Sequence, residues 1–433
     1  MSSTRVEHTG PLSGFYRVWS FLTEYSVLLI IGALLALIWA NIDFHSYHHA
    51  IEYNLLTNDY VGHLHDGHRE LTIHYLINDV LMALFFAIAG KEVWEAVALK
   101  NGSLRGKKAL TPLIATVGGM AGPIGVYLLV AYAASAAGAM AFNQLLNGWA
   151  VPTATDIAFS YLVGRLVFGA GHPAVRFLLL LAIADDAAGL IILAIFYPQG
   201  ELAPEWLALS FGAALLVYLL FNWGPRRLDA AKEDRITASM IRRRFGVWPY
   251  VIGGALSWYG FQQAGIHPAL GLLPIIPAIP HEDVALGFFA EAEKYSTDML
   301  NQLEHALKTP VEIVLFLFGL ANAGVALSSV NAATYAVLAG LLIGKPLGIW
   351  AFGAFAAHGL RLGLPAGMRT SDLFVLGCVA AIGFTVALFI AAVAFPSGAV
   401  QDGAKMGALL SFFASVMSFA AGWAFRVQKV PAP

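Results

Sequence analysis

The chain has 433 residues, 58% of them hydrophobic and only 12% charged, where a soluble globular domain carries about 25% charged residues. With a mean hydropathy of +0.70, this composition excludes an ordinary soluble domain and points to the membrane class. The net charge of −2 leaves no basic domain for nucleic acid, and a single cysteine, Cys378, excludes a disulfide framework or a thiolate zinc site.

The segment 1–24 lacks the charged, apolar and small-residue order of a cleavable signal peptide. It is expected to stay on the chain as an N-terminal cytoplasmic segment. Beyond it, apolar runs long enough to span hydrocarbon give about twelve candidate spans. They cover 25–42, 74–99, 109–135, 149–167, 174–197, 205–222, 248–263, 266–280, 309–328, 334–357, 372–396 and 405–424. The pair at 248–280 also reads as one span plus a re-entrant turn. The predicted fold class is an all-α membrane protein forming a single transporter domain over 1–433.

Lysine and arginine set the orientation. Alternate connections hold Arg5, Arg17, Lys100, Arg105, Lys107, Lys108, Arg165, Arg176, the Arg226–Arg244 cluster, Lys294, Lys308, Arg361, Arg369, Arg426 and Lys429. The other side keeps Arg69 and, at a helix end, Lys405. Both termini are therefore predicted in the cytoplasm, with the protein in a bacterial inner membrane. The Arg226–Arg244 cluster fits topology and contact with anionic membrane lipids.

The loop 43–73 is the one sizeable outer segment. Within it, Tyr60–His65 and His68–Ile73 flank Asp66-Gly67, a pair that tolerates the positive φ of a tight hairpin turn. An exposed two-stranded ribbon is marginal alone, so the 60–73 hairpin is a candidate homodimer contact. His45, His48, His49, His63, His65, His68 and His74 gather in or beside this loop. They read either as a zinc site or external pH sensor, or as a solvated insertion.

Ionisable groups at membrane depth are costly and mark function by default. Asp156 is central in 149–167, Asp185 and Asp186 in 174–197, and Lys345 in 334–357. A packing device needs two charges, not two adjacent aspartates and a third. The surplus negative charge wants a cation. Trp149-Ala-Val-Pro152-Thr-Ala-Thr155-Asp156 puts helix breakers inside one span, and Ala381-Ile-Gly383-Phe-Thr385 does so inside another. Breaks at that depth are tolerated where freed backbone groups line a polar cavity. Two of them in corresponding halves point to an inverted-repeat transporter with two discontinuous crossing helices, its ion-binding core at 109–197 and 334–424.

Na+ prefers carboxylate, hydroxyl and carbonyl oxygens, as other hard cations do. Asp186, Asp185 and the Thr155 hydroxyl supply them, so these three residues form the predicted Na+ site. Burial disfavours a bare carboxylate, which then holds either a proton or a metal ion. One site with two alternative occupants is the simplest exchange mechanism. Asp156 is placed to balance the ends of opposed half-helices.

Several stretches resemble the NhaA-type sodium/proton antiporters, which are type examples of inverted-topology repeats. These are Ile77-Asn-Asp79-Val-Leu-Met-Ala-Leu-Phe-Phe86, Ala154-Thr-Asp156-Ile-Ala-Phe159, Ala184-Asp-Asp186, Ala321-Asn-Ala-Gly-Val325, Gly344-Lys-Pro-Leu-Gly348 and Gly383-Phe-Thr385. The resemblance runs from about residue 25 to the C-terminus. It implies that Asp185 and Asp186 bind the ion and protons, and that Lys345 pairs with Asp185. It implies too that Asp156 and Thr155 sit where two unwound helices cross, and that dimers form through the outer hairpin. Glu92 and Glu304-His305 match the family's cytoplasmic pH-sensing surface, whereas Lys91 departs from it. Glu312 replaces an apolar position and either lines the entrance or snorkels to the interface.

The expected activity is electrogenic export of Na+ or Li+ against protons, with no cofactor. An intramembrane aspartyl protease would need a Gly-Asp element, which the sequence lacks. A passive cation channel has no use for a central lysine beside two aspartates. A same-fold carrier of anions would not want three midplane carboxylates.

Overall fold

The computed structural model describes residues 27–65, 67–99, 102, 104, 109–228, 240–241, 244–281 and 299–431. The segment 1–24, Asp66 of the expected turn, the basic residues Lys100, Arg105, Lys107, Lys108 and Lys294, and part of the Arg226–Arg244 cluster lie outside them.

The described chain is a helical bundle with one small sheet. Helices α1 (Val27–Ile42) and α2 (Phe44–Ile51) lead into the sheet, and α3 (Ile73–Ala98) and α4 (Leu110–Ala136) follow it. Next come α5 (Ile157–Phe168), α6 (Pro173–Phe196), α7 (Pro204–Leu228), α8 (Trp248–Gln263) and α9 (Met299–Asn322). The last elements are α10 (Ala332–Gly359), α11 (Thr370–Ala380), α12 (Phe384–Ala394) and α13 (Ala399–Ala424). Among the described residues, α3, α4, α6, α7, α10 and α13 are long and apolar enough to cross a membrane, and the bent pair α11–α12 is a seventh candidate when counted as one span. Leu34, Ile38, Leu215, Leu216 and Leu220 stay exposed. Apolar surface of that extent belongs against lipid.

Three spans differ from their sequence expectation. The run 266–280 forms two 3-10 stretches, Pro268–Leu270 and Leu273–Ala278, because Pro268, Pro274 and Pro277 each remove a backbone donor. Helix α9 already includes Met299, ten residues before the predicted 309. Helix α13 begins at Ala399, so Lys405 is not at a helix end but buried inside it. Gln401, Asp402 and Lys405 lower the local hydropathy and hide the first turns from a hydropathy window.

The outer ribbon is present with one strand more than expected. Strands β1 (Asn54–Asn58), β2 (His63–His65) and β3 (His68–Thr72) form an antiparallel sheet in the order β1-β3-β2. His65 pairs with His68 across the turn, and Gly67 takes a φ of +87°. Thr72 then caps α3 by accepting the Tyr75 N–H at 3.1 Å. Among the described residues no group of three or more His, Cys, Asp or Glu is arranged to hold a metal. His68 instead meets Asp59 at 2.9 Å, and His63 packs edge-on to Tyr75 at 4.9 Å.

Helices α4 and α10 cross at backbone contact. A Cβ at Gly118 or Gly122 would overlap the carbonyl oxygen of Gly348 or Gly344, and one at Gly344 would lie 2.6 Å from the Pro123 Cα. Each helix thus carries a small-xxx-small pair, the pattern that lets membrane helices approach closely. The crossing fixes the height of Lys345, which follows Gly344 directly. Gly348→Ala is expected to cost about 1–3 kcal/mol through overpacking. A thermal melt in detergent checks this, with an unchanged midpoint as the contrary result.

Candidate functional site

Both interrupted spans break where the sequence predicts. The first is a 3-10 run, Asn147–Thr153, an extended stretch at 154–156, and then α5. The second is α11, a break at 381–383, and α12, bent by 54°. Pro152 cannot donate to a helix, and Gly383 allows the close pass. The two breaks cross at hydrogen-bond distance. Asp156 N–H donates to the Ile382 carbonyl at 2.7 Å, and the Ser160 hydroxyl donates to the Val379 carbonyl at 3.1 Å.

Side chains then match the exposed helix ends. Asp156 caps α5 by accepting the Phe159 N–H at 3.2 Å. Its other oxygen accepts the Thr385 N–H at 3.3 Å and the Thr385 hydroxyl, at the start of α12. One carboxylate therefore serves the positive ends of two half-helices. The opposite polarity meets Lys345, whose ammonium donates to the Thr153 carbonyl at 2.6 Å. That carbonyl ends the first half-helix.

The ammonium also lies 3.2 Å from Asp185 Oδ2, with both side chains fully buried. The Thr155 hydroxyl approaches the same oxygen at 2.7 Å and the Ala380 carbonyl at 3.2 Å. Having one proton, it donates to one of them at a time. Asp185 Oδ1 and Asp186 Oδ1 are buried and have no hydrogen-bond partner among the described residues. Two orphaned carboxylate oxygens on adjacent residues are a costly arrangement without a proton or cation.

Asp186 faces a cavity of about 130 Å³ that Thr155, Asp156 and Thr385 also line. It runs past Phe85, Ile88 and Leu315 to Glu92, Glu304, Glu312 and Lys308. Lys308 is exposed, and this end lies toward the C-terminus of α3, away from the sheet. Glu312 is 7% exposed and lines the passage, so it does not snorkel away from it. Lys91 is buried beside the mouth, within 3.2 Å of Glu92, 3.0 Å of Glu95 and 2.5 Å of Glu304. Lys91 thus ties α3 to α9 with a buried ammonium.

The sequence model of the family described as Na+/H+ antiporter 1 matches residues 18–425. The chain belongs to that family. It is 66% identical over 419 residues to the Na(+)/H(+) antiporter NhaA of Jannaschia sp. (strain CCS1), covering 96% of this chain and 99% of the relative. It is 43% identical over 416 residues to the protein of the same name from Geobacter sulfurreducens, covering 95% and 99%. The solved sodium proton antiporter MjNhaP1 of Methanocaldococcus jannaschii aligns over 95% of this chain and 98% of its own at 13% identity. The TM-score of that alignment is 0.44. Within this antiporter family member, Asp156, Thr155, Asp185 and Lys345 meet at the helix crossing, and Asp186 stands beside them on the cavity. Reading the sequence missed the Thr153 carbonyl on Lys345 and the hold of Thr385 on Asp156. A carbonyl has no sequence signature, but a threonine directly after the break at Gly383 was a signal for the second.

Proposed function

We propose that the chain exchanges Na+ or Li+ for protons at Asp185 and Asp186, with the Thr155 hydroxyl as a further ligand. The observation that carries this is the pair of orphaned oxygens, Asp185 Oδ1 and Asp186 Oδ1, with Asp186 facing the cavity. With a proton on Asp186 and the Lys345 ammonium beside the Asp185 carboxylate, the site tolerates burial. With both protons gone, the two carboxylates present oxygens to a cation that enters past Glu312. Lys345 holds the other oxygen of Asp185 until the ion draws it away. Asp156 is already committed to two helix starts, so its role is to hold the crossing in shape. In proteoliposomes an imposed Na+ gradient should drive opposite proton flux. A Na+ gradient that collapses without proton movement would mark a channel instead.

The reading extends to architecture: about twelve spans, both termini cytoplasmic, and 109–197 with 334–424 as an inverted repeat in an inner membrane. Two interrupted helices, each beside a helix carrying a buried charge, support the repeat. The lysine and arginine asymmetry supports the orientation, with the cavity open to the cytoplasm and the sheet outside. The Arg226–Arg244 cluster meets anionic lipid.

A homodimer forms through the sheet in this reading. Leu56, Tyr60 and Leu64 are 56%, 68% and 70% exposed, beside or on the open edges of β1 and β2. Deleting 60–73 would also remove the Thr72 cap of α3, so charge substitutions test the contact better. Leu56→Glu with Leu64→Glu should shift the detergent-solubilised protein from dimer to monomer by light scattering. An unchanged mass removes the sheet from the interface.

A further inference from the structure

Beyond α13 the chain turns back and joins the elements that carry the exchange site. Arg426 takes a φ of +50°, a conformation few non-glycine residues adopt. The segment 427–431 that follows is neither helix nor strand, and it crosses the short turn between α5 and α6. The Val430 N–H donates to the Phe168 carbonyl at 2.9 Å, and the Val430 carbonyl accepts the Gly171 N–H at 3.0 Å. The turn is shaped to receive it. A Cβ at Gly169 would overlap the Val430 carbonyl oxygen, and one at Gly171 would overlap that of Pro431. Gly169 also needs its φ of +84°, whereas at Gly171 the close pass of Pro431 is the constraint.

The end of α13 is tied to α11 as well. The Arg369 guanidinium lies 3.2 Å from the Arg426 carbonyl, 3.4 Å from that of Phe425 and 3.3 Å from Asp372 Oδ1. Asp372 is 1% exposed and also accepts the Arg369 N–H at 2.7 Å. Phe425 packs on Phe374 of α11 at 5.7 Å. A closed frame results. Helices α5 and α11 have 12 and 11 residues, so each is about 16–18 Å long. At one end they meet in the crossing, where the Ser160 hydroxyl donates to the Val379 carbonyl. At the other they are joined through 425–431. Helix α6, which carries Asp185 and Asp186, starts from the turn that this segment covers. His172 caps it there, its Nδ1 accepting the Ala174 N–H at 3.1 Å.

We propose that residues 425–431 are a positioning strap, which fixes α6 against the crossing and so holds Asp185 in register with Thr155. The inference rests on the exchange reading, in which both residues are Na+ ligands. Thr155 precedes α5 and Asp185 lies midway along α6, so the chain links them only through α5 and the turn 169–172. Their oxygens are 2.7 Å apart, and an ion held by both needs that spacing kept. A helix moves as a rod, so play at the first turn of α6 is carried to its middle. None of 425–431 lines the cavity, and the strap acts through the helices alone. Ligands that must be found rather than met ready-made bind more weakly. Na+ affinity is therefore the property that the strap sets.

The test is Na+-driven proton flux in proteoliposomes, measured against Na+ concentration, with thermal melts beside it. Three variants are compared with the full wild-type chain: Arg369→Gln, Val430→Pro and a chain stopped after Gln428. Val430→Pro keeps every residue and removes only the N–H bonded to Phe168. Each variant should raise the half-saturating Na+ concentration about three- to tenfold, the size of one or two weakened hydrogen bonds. The maximal rate should stay near wild type. A strap that served folding alone would lower the melting midpoint and leave the half-saturating Na+ concentration where it was. That result in Arg369→Gln and Val430→Pro overturns the inference, and these two decide if the stopped chain does not fold. No Na+-driven proton flux in the wild type would overturn the exchange reading, and the inference with it.

Discussion

Asp186→Asn is expected to reduce Na+-driven proton flux to the level of empty liposomes, with the protein still folded and inserted. The amide matches the carboxylate in shape but cannot alternate between a proton and a cation. Asp186 Oδ1 makes no hydrogen bond among the described residues, so the fold loses little by its replacement, about 1 kcal/mol or less. Asp156→Asn differs in kind, since Asp156 joins the starts of α5 and α12 and its loss weakens the crossing itself. Thermal melts beside transport assays separate the two: Asp186→Asn melts near wild type, and Asp156→Asn melts lower. Residual exchange by Asp186→Asn at wild-type rates contradicts the competition mechanism.

Lys345→Gln has the second large expected effect, on electrical coupling. Lys345 has two acceptors, Asp185 Oδ2 at 3.2 Å and the Thr153 carbonyl at 2.6 Å, and is 0% exposed. Breaking a buried ion pair by removing one partner costs about 3–5 kcal/mol when the other stays charged. In practice Asp185 takes up a proton instead, which ties its ionisation to the lysine. When Na+ draws Asp185 away, the ammonium loses its counter-charge and gives up a proton. Asp186 supplies another, so two protons cross for one Na+ and one net charge moves. The membrane potential then adds roughly 2.3 kcal/mol per 100 mV to extrusion. With glutamine at 345, exchange should be slower and respond less to an imposed negative-inside potential. A full response to the potential would leave Lys345 as a structural partner of Asp185 alone.

Much of the site is legible in the sequence because charges at membrane depth have few explanations. Asp185 and Asp186 lie mid-way along an apolar run, and Lys345 is central in another, so their depth follows from counting residues. Pro152 and Gly383 mark the breaks for the same reason, since they weaken a helix wherever they occur. What escaped depends on how separate elements meet. Thr385 follows the second break in the sequence, but its contact with Asp156 is made across the crossing. The pairs Gly118 with Gly122 and Gly344 with Gly348 were in plain view as small-xxx-small spacings, but which helices they join is set by packing. Strand β1 is exposed at four of its five positions and has no alternating pattern to reveal it. The prolines at 268, 274 and 277 were the available sign that 266–280 would not form an α-helix.

The most direct test of the central claim is the release of protons on adding Na+ to purified, detergent-solubilised protein in weak buffer. Competition at Asp185 and Asp186 predicts a saturable acidification, approaching about two protons per Na+ bound when the Lys345 pair also gives one up. It predicts no release from Asp186→Asn. Binding of Na+ without proton release, or equal release from wild type and Asp186→Asn, would contradict the account.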